Sequence, residues 1–469
     1  MAGVLHPTLR RRLHRLALPI ALSNLTVPLT GAVDAAMLGH LDEIRHLAGV
    51  ALASLVFDYL YWTFGFLRMA TTGLVAQALG RRAPVEAMRV LLRGLVLAAG
   101  IAAVILLLRR PIEAGGFALL AGAPEVEDAG RAYLRARILG APAVLANFAI
   151  LGWLIGHARG GRALALTAVA NATNVALDWL LIVRLGFGSQ GAGIATAVSQ
   201  GVMLALGLQL LLSEWRTVRA AWRGLFSRRG FAPLLALNRD IAIRTLCLVT
   251  GFAGFINLSA LYGPTVLAAN AILLRIFDLV AYGIDGLAFA TESLAGGLAG
   301  ARDRAGLARL LRVGLEAGVA LAAGVSVLLL LAPAGLYRLF TSHADVAAAA
   351  ARHEPWLLAA LLFGAVAWIY DGFFIGLAAG PALRRAMLLS LAAFVPGAAA
   401  GAWGGGAWGS GAHGLWAAGT HVLWASFVVF TAARGATLGW RARATIQAAV
   451  APRSERTLPG EAELGEGVG

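Results

Sequence analysis

The sequence predicts an all-α integral membrane protein with twelve transmembrane helices, arranged as two pseudo-symmetric lobes of six. The first observation behind this prediction is composition: of 469 residues, 59% are hydrophobic, only 13% are charged, and the mean hydropathy is +0.77. A soluble core does not need this much apolar surface. The second observation is a series of apolar runs, most of them close to the ~20 residues that a spanning helix requires. The third is an internal repeat.

The first apolar run extends from Leu16 to Leu38 and contains one charged residue, Asp34, and two prolines, Pro19 and Pro28. A carboxylate at membrane depth costs roughly 2.5–3.5 kcal/mol, so its default interpretation is an ion or proton site. The alternative is an aspartate near the helix end, among lipid headgroups. Each proline removes a backbone donor and tends to kink the helix. The freed carbonyls must be satisfied by neighbours or by a water-filled cavity.

Eleven further apolar runs complete the predicted spans. The most polar interior segment, residues 213–231, separates six spans from six, and residues 213–237 are predicted to be a cytoplasmic linker. The predicted organisation is an N-terminal lobe (1–212), this linker, a C-terminal lobe (238–435) and a disordered cytoplasmic tail (436–469). The remaining spans are placed at about 47–78, 91–108, 133–155, 163–183, 191–212, 241–261, 266–294, 313–331, 356–377, 387–402 and 414–433.

The charge distribution predicts the orientation of the chain. The formal net charge is +15, and all 39 basic residues are arginines. They cluster before the first span and in alternate short loops, which is the asymmetry of the positive-inside rule. Both termini are therefore expected in the cytoplasm. Anionic lipid, rather than nucleic acid, is the expected partner of this positive charge.

The internal repeat has a constant offset of 220 residues. The segment ATTGLVAQALG (70–80) matches ATESLAGGLAG (290–300), and WLIGHARGG (153–161) matches FFIGLAAGP (373–381). Because each half holds six spans, the second copy keeps the orientation of the first, and the substrate path is expected between the halves. The alternative is a duplicated scaffold without transport, such as a polytopic enzyme. Asp34 falls on Gly254 in the repeat, so the coupling site is expected in the N-terminal half alone.

Polar residues of the fifth and sixth spans supply further oxygen atoms. Asn174 and Asp178 are four residues apart and therefore share one helix face. Thr196 offers a hydroxyl from the next helix. Together with Asp34 they form a set of hard oxygen donors, which suits a small hard cation or a proton shared between two carboxylates. This grouping requires that the three helices meet.

Three long segments carry a resemblance to a known family: LALPIALSNLTVPLTGAVDAAMLGHLD, LYWTFGFLRMATTGLVAQALG and NATNVALDWLLIVRLGFGSQGAGIATA. From about residue 12 to 435 the chain resembles the MATE family of multidrug and toxic compound extrusion proteins. YGIDGLAFATESLAG and IYDGFFIG are similar to its bacterial DinF-like branch. The resemblance implies a V-shaped pair of lobes in the cytoplasmic (inner) membrane and a bent first helix. It also implies an N-lobe cation and proton site at Pro19, Asp34, Asn174, Asp178 and Thr196. Both H+ and Na+ remain open as the coupling ion.

Other polar or large side chains within the spans are candidates for a substrate cavity. For each of them, a structural ion pair or simple packing is the alternative, and Arg68 in particular either neutralises a carboxylate or extends toward an interface. No phosphate-binding loop, metal-ligand spacing or hydrolytic triad is present in the sequence, and no cofactor is expected. The candidate cavity residues are Met37, Arg68, Asp285, Glu292 and Asp371.

These observations predict a non-enzymatic, secondary active antiporter that exchanges H+, or alternatively Na+, for amphiphilic compounds. In the sequence interpretation the charges at membrane depth are mostly acidic, which favours cationic substrates. The rival prediction is a flippase for lipids or lipid-linked oligosaccharides, which would need a basic cavity. The expected partners are the small-molecule substrate, the coupling ion and the bilayer, with the chain acting as a monomer.

Overall fold

The computed structural model describes residues 6–120, 122–331, 335–406 and 413–451. These residues form seventeen α-helices and no β-strand. Twelve helical segments within them are long and apolar enough to cross a membrane. The predicted all-helical, twelve-span fold is confirmed, and each predicted span coincides with one of these segments.

The N-terminal half contains six spans in nine α-helices. The second span is the helix pair α2 and α3, interrupted at Gly65. The fourth is α6 and α7, joined by a 3-10 turn at Ile138–Gly140. The helices are α1 (His6–Gly39), α2 (Arg45–Phe64), α3 (Phe66–Gly80), α4 (Pro84–Leu107), α5 (Arg109–Leu119), α6 (Pro124–Arg137), α7 (Ala141–Gly156), α8 (Gly160–Asp178) and α9 (Gly188–Leu212).

The C-terminal half repeats this arrangement with longer, less interrupted helices. Its six spans are α11, α12, α13, α15, α16 and α17. The helices are α10 (Trp215–Trp222), α11 (Arg228–Ala260), α12 (Pro264–Gly300), α13 (Arg304–Leu331), α14 (Gly335–Arg338), α15 (Ala344–Gly376), α16 (Gly380–Gly406) and α17 (His413–Val450).

The last helix extends beyond the predicted end of the C-terminal lobe. Disorder was predicted from residue 436, but α17 continues to Val450. Its extension places Leu438, Ala442 and Ile446, four residues apart, against the hydrophobic core with exposed fractions of 0, 5 and 6%. This apolar stripe stabilises a helix that polar composition alone does not predict. The rest of the predicted tail, residues 452–469, lies outside the described residues.

The segment predicted to link the lobes is fixed to the N-terminal lobe. It contains α10, and α11 begins within it at Arg228. The buried Arg93 of α4 donates from Nε to the carbonyl of Leu225 at 3.0 Å and pairs with Glu86 at 2.9 Å. A second arginine of α4, Arg89, donates to the carbonyl of Ala221 at 3.4 Å.

Backbone conformation confirms the repeat. Within the described residues, four non-glycine residues have a positive φ: Arg82 (59°), Ala158 (55°), Arg302 (58°) and Ala378 (54°). They form two pairs, each separated by 220 residues. Because this left-handed conformation is uncommon for residues with a Cβ, its recurrence 220 residues apart shows that the two halves share the same turn geometry at these positions.

The two lobes contact each other closely through small residues at the ends of α3 and α12. A Cβ added at Gly80 would overlap the carbonyl oxygen of Gly297, and one added at Gly300 would overlap that of Gln77. Residues 77 and 297 are repeat equivalents, so these two contacts are related by the pseudo-symmetry. Such reciprocal contact is the property of a two-fold interface.

A glycine pair in α12 tests this contact. Gly300→Ala should destabilise the protein by about 1–3 kcal/mol, because overpacking against a backbone carbonyl cannot be relieved by a rotamer change. The melting temperature of the purified protein should fall.

The matched control is Gly297→Ala in the same helix. A Cβ at Gly297 meets no atom within 4 Å, so this variant should match or slightly exceed the wild-type melting temperature. Equal melting temperatures for the two variants would contradict the proposed close contact.

Candidate functional site

Two aspartates face each other in the N-terminal lobe. Asp34 of α1 and Asp178, the last residue of α8, lie close enough for each carboxyl group to act electrostatically on the other. Asp178 is 0% exposed, and neither of its oxygens accepts a hydrogen bond from the described residues within the geometric limits of a donor–acceptor pair. Two carboxylates at this separation repel each other, so a bound proton or cation stabilises the pair.

Helices α1 and α8 are brought together by small and hydroxyl residues. The side-chain oxygens of Ser23 and Thr167 lie 2.8 Å apart. At Gly160 an added Cβ would come within 2.9 Å of the Leu16 side chain, so the absence of a side chain permits the close approach. This packing places Asp34 and Asp178 at the same interface.

The other two residues of the predicted oxygen set differ in position. Asn174 lies one turn before Asp178, is 2% exposed, and neither atom of its amide group has a hydrogen-bond partner among the described residues. Thr196 of α9 donates its hydroxyl to the carbonyl of Ala192 at 3.0 Å and lines the large cavity between the lobes. Asn174 is thus placed with the acid pair, whereas Thr196 is placed on the cavity wall.

Irregular backbone follows Asp178, whereas Asp34 lies within a continuous helix. A π-helical segment, Trp179–Arg184, follows Asp178 directly. Such segments frequently occur at functional sites, where they redirect side chains. Helix α1 runs through both Pro19 and Pro28 as one element, and Thr26 donates its hydroxyl to the carbonyl of Ser23 at 2.7 Å.

A cavity of about 460 Å³ lies between the lobes. Along α12, its lining residues precede the close lobe–lobe contact, so the cavity lies on one side of that contact. Its apolar wall is largely aromatic and comes from both lobes. The aromatic lining residues are Phe57, Tyr61, Trp62, Phe148, Phe252, Phe277, Tyr282, Phe289, Trp368 and Phe430.

The C-terminal wall of this cavity contains a buried ionic cluster. Arg244 of α11 donates from Nε to Oδ2 of Asp371 at 3.1 Å and also contacts this oxygen through Nη2. Arg434 of α17 places its Nη2 3.2 Å from the same oxygen. All three residues are buried, with exposed fractions of 6% for Arg244, 4% for Asp371 and 3% for Arg434.

An ion pair crosses from one lobe to the other. Nη1 of Arg68 in α3 lies 3.8 Å from Oε2 of Glu292 in α12, which is 0% exposed. The Arg68 guanidinium also lies over the ring of Phe289, 3.6 Å from its centroid. Of the two interpretations that the sequence left open for Arg68, the structure therefore shows the one in which it neutralises a carboxylate.

The structure places four of the five candidate cavity residues on the cavity wall. These are Arg68, Asp285, Glu292 and Asp371. Met37 is not among the lining residues and packs against the hydrophobic core, because its position on α1 lies beyond the cavity.

Sequence reasoning missed several charged residues of this wall. The sequence interpretation that intramembrane charges are mostly acidic was wrong for the cavity, where four arginines face four acids. An arginine inside or at the edge of a predicted span was the available signal. The missed lining residues are Arg137, Arg244, Asp278 and Arg434.

Arg137 connects the cavity with the acid pair. It lines the cavity and its charge acts on the Asp34 carboxyl. Its Nη1 donates to the Tyr133 hydroxyl at 2.6 Å, and its guanidinium lies 4.4 Å from the centroid of the Phe57 ring. A change of charge at Asp34 therefore changes the electrostatic interaction with Arg137, which is a side chain of the cavity wall.

The chain is similar to known proteins in both sequence and structure. The MatE family model matches residues 19–180 and again 241–402. The chain is 37% identical to DNA damage-inducible protein F of Escherichia coli K12 over 391 residues, covering 82% of this chain and 84% of that protein. It is 30% identical to a probable multidrug resistance protein NorM of Bradyrhizobium diazoefficiens, over 76 and 77% of the two chains.

The solved structures give the same result for the fold. A structure described as the outward-facing conformation of a multidrug resistance MATE family transporter superposes with a TM-score of 0.84. The match covers 97% of this chain and 99% of that chain at 20% identity. The two-lobed, twelve-helix architecture is therefore shared.

The ionic cluster makes a prediction about stability. Asp371→Asn should destabilise the protein by about 3–5 kcal/mol, since it leaves two buried guanidinium groups without a counter-charge. The measurement is thermal unfolding of the purified protein.

Asp278→Asn is the matched control. Asp278 lines the same cavity but forms no ion pair within 4.0 Å among the described residues. Its melting temperature should stay close to that of the wild type. An unchanged melting temperature for Asp371→Asn would show that the cluster contributes nothing to stability.

Proposed function

The chain belongs to the MatE family, and on that premise we propose that it is a secondary active exporter that exchanges protons for amphiphilic small molecules. The membrane is the bacterial cytoplasmic membrane, and the chain acts as a monomer. The observation that carries this proposal is the pair of Asp34, which is half-buried, and Asp178, which is fully buried and accepts no hydrogen bond from the described residues, together with a cavity at the interface of two lobes.

Coupling follows from the position of α1. This helix carries Asp34 of the acid pair and Asn24 of the cavity wall, so both sites act on the same element. Proton binding to the acid pair shifts α1 toward a form that binds substrate weakly. By thermodynamic reciprocity, substrate binding must weaken proton binding by the same factor.

The shape and lining of the cavity support amphiphilic substrates. Its volume of about 460 Å³ lies in the range of small-molecule sites, which is roughly 300–1,000 Å³. Aromatic rings accept the apolar part of a substrate. Asp278 and Asp285, which form no ion pair within 4.0 Å among the described residues, are the acceptors for a cationic group.

One observation favours the flippase alternative, namely the four arginines of the cavity, which suit an anionic headgroup. The volume of the cavity argues against a lipid-linked oligosaccharide, since such a headgroup is larger than a drug-sized site. Translocation of a fluorescent lipid in proteoliposomes, with no response to a small cationic dye, would favour the flippase.

Orientation follows from the arginines before the first span. With the N-terminus in the cytoplasm, the second and eighth spans both end on the cytoplasmic side. The close contact of Gly80 and Gly300 then seals the cytoplasmic side, and the cavity faces outward.

The first functional prediction concerns Asp34. Asp34→Asn should fold normally and abolish substrate-driven proton movement in proteoliposomes, because the asparagine amide does not bind and release a proton near neutral pH. The measurement is the fluorescence of an internal pH dye when a cationic dye is added.

Asp42→Asn is the matched control, because Asp42 is exposed just beyond the end of α1. This variant should show wild-type proton movement. Full coupling in Asp34→Asn would refute the role of the acid pair.

A second prediction separates the two coupling ions. In proteoliposomes, the purified protein should export dye when an imposed proton gradient drives the exchange, and the rate should not depend on the sodium concentration. Sodium-driven export at equal pH on both sides would instead assign Na+, with the amide oxygen of Asn174 as an additional ligand.

A further inference from the structure

Within ion-pair distance, the ionic cluster of the C-terminal lobe holds two guanidinium groups and one carboxylate, whereas the whole cavity wall carries four arginines and four acids. Two guanidinium groups, those of Arg244 and Arg434, share one carboxylate, and both approach the same oxygen, Oδ2 of Asp371. The side chains are at least nine-tenths buried. An unbalanced charge in a low-dielectric interior is unfavourable unless another group compensates it.

Arg434 has donors that the described residues do not use. Its Nε and Nη2 are buried and make no hydrogen bond within the geometric limits, although Nη2 lies in ion-pair range of Asp371. Arg434 lines the cavity between the lobes. A guanidinium presents its donors in a planar fork that matches carboxylate, sulfonate or phosphate oxygens.

Glu292 and Asp285, two further acids of this wall, do not form an ion pair with Arg434 within 4.0 Å among the described residues. Glu292 lies 3.8 Å from Arg68 and belongs to the ion pair between the lobes. Asp285 lines the same cavity and its charge acts on Arg244 and Arg434, so it offsets part of their positive charge. It forms no ion pair within 4.0 Å among the described residues, and the Nε and Nη2 donors of Arg434 therefore stay without a hydrogen bond.

Aromatic rings line the same cavity as the cluster. Phe430 precedes Arg434 by one turn of α17 and lines the cavity as well. Phe277 lies between Phe252 and Trp368, with ring centroids 5.9 and 5.1 Å away. The wall therefore combines unused arginine donors with an apolar surface large enough for a hydrocarbon or ring system.

We infer that Arg434, supported by Arg244, forms a subsite for the anionic group of an amphiphilic substrate, whose apolar part lies against these aromatic rings. The substrate class is a small amphiphile with one carboxylate or sulfonate group, alone or together with a cationic group at Asp278. This inference rests on the proposed transport function for the role of the cavity, but the binding site is testable without transport.

Arg434→Met is a suitable test because the variant should fold. It leaves Arg244 and Asp371 as a balanced pair, and methionine fills part of the volume of the arginine stem. Arg443→Met is the matched control, since Arg443 lies on the same helix and is exposed.

The probes are dansylaminoundecanoic acid and its methyl ester, which differ only in the anionic group. Binding to the full-length protein in nanodiscs is measured by energy transfer from tryptophan, since Trp62 and Trp368 line the cavity. Empty nanodiscs correct for partitioning into lipid. The wild type should bind the acid about tenfold more tightly than the ester, a difference of about 1.4 kcal/mol.

In Arg434→Met the preference for the acid should fall to within about twofold while the affinity for the ester stays unchanged, and Arg443→Met should behave as the wild type. An equal preference in Arg434→Met and the wild type, or no preference in the wild type, would overturn the inference. Proton-driven export of a cationic dye is measured on the same wild-type preparation. Export without acid preference rejects only the anion subsite, whereas acid preference without export rejects only the proposed function.

Discussion

The constraint on which the rest depends is the close placement of two carboxyl groups, one fully buried and the other half-buried. Asp34 and Asp178 come from different helices, and Asp178 is fully shielded from solvent. Such a pair persists only if the fold forces α1 and α8 together and if the pair can take up a positive charge. Gly160 permits the close approach, and the π segment after Asp178 adjusts the register of the helix at that point.

The two lobes use one backbone design for different chemistry. The carbonyl of Thr72 faces Gly156, and the carbonyl of its repeat equivalent, Glu292, faces Gly376. The glycine contacts are therefore duplicated, while the side chains at residues 72 and 292 are not. The acid pair has no counterpart in the second lobe, which instead balances its buried acids with arginines. Duplication has conserved the packing, and the charges have diverged.

The twelve spans, the repeat and the acid pair could be predicted from the sequence because each leaves a local signal. Spanning helices need long apolar runs, close helix contacts need glycine, and an aspartate in an apolar run is conspicuous. The partnership of Arg244 with Asp371 joins residues 127 positions apart and leaves no local pattern. The cavity was therefore expected to be acidic. The extension of α17 had a signal, the spacing of Leu438, Ala442 and Ile446, which the polar composition around it concealed.

The most direct test of the central claim is the release of ions on substrate binding, measured on purified protein in weakly buffered solution. A pH dye reports protons and a sodium electrode reports Na+ when a saturating cationic substrate is added. If the acid pair exchanges a cation for substrate, the wild type releases protons or Na+ when substrate binds. The variant Asp178→Asn is expected to bind substrate and to release neither ion. Equal release from Asp178→Asn and the wild type would contradict the account.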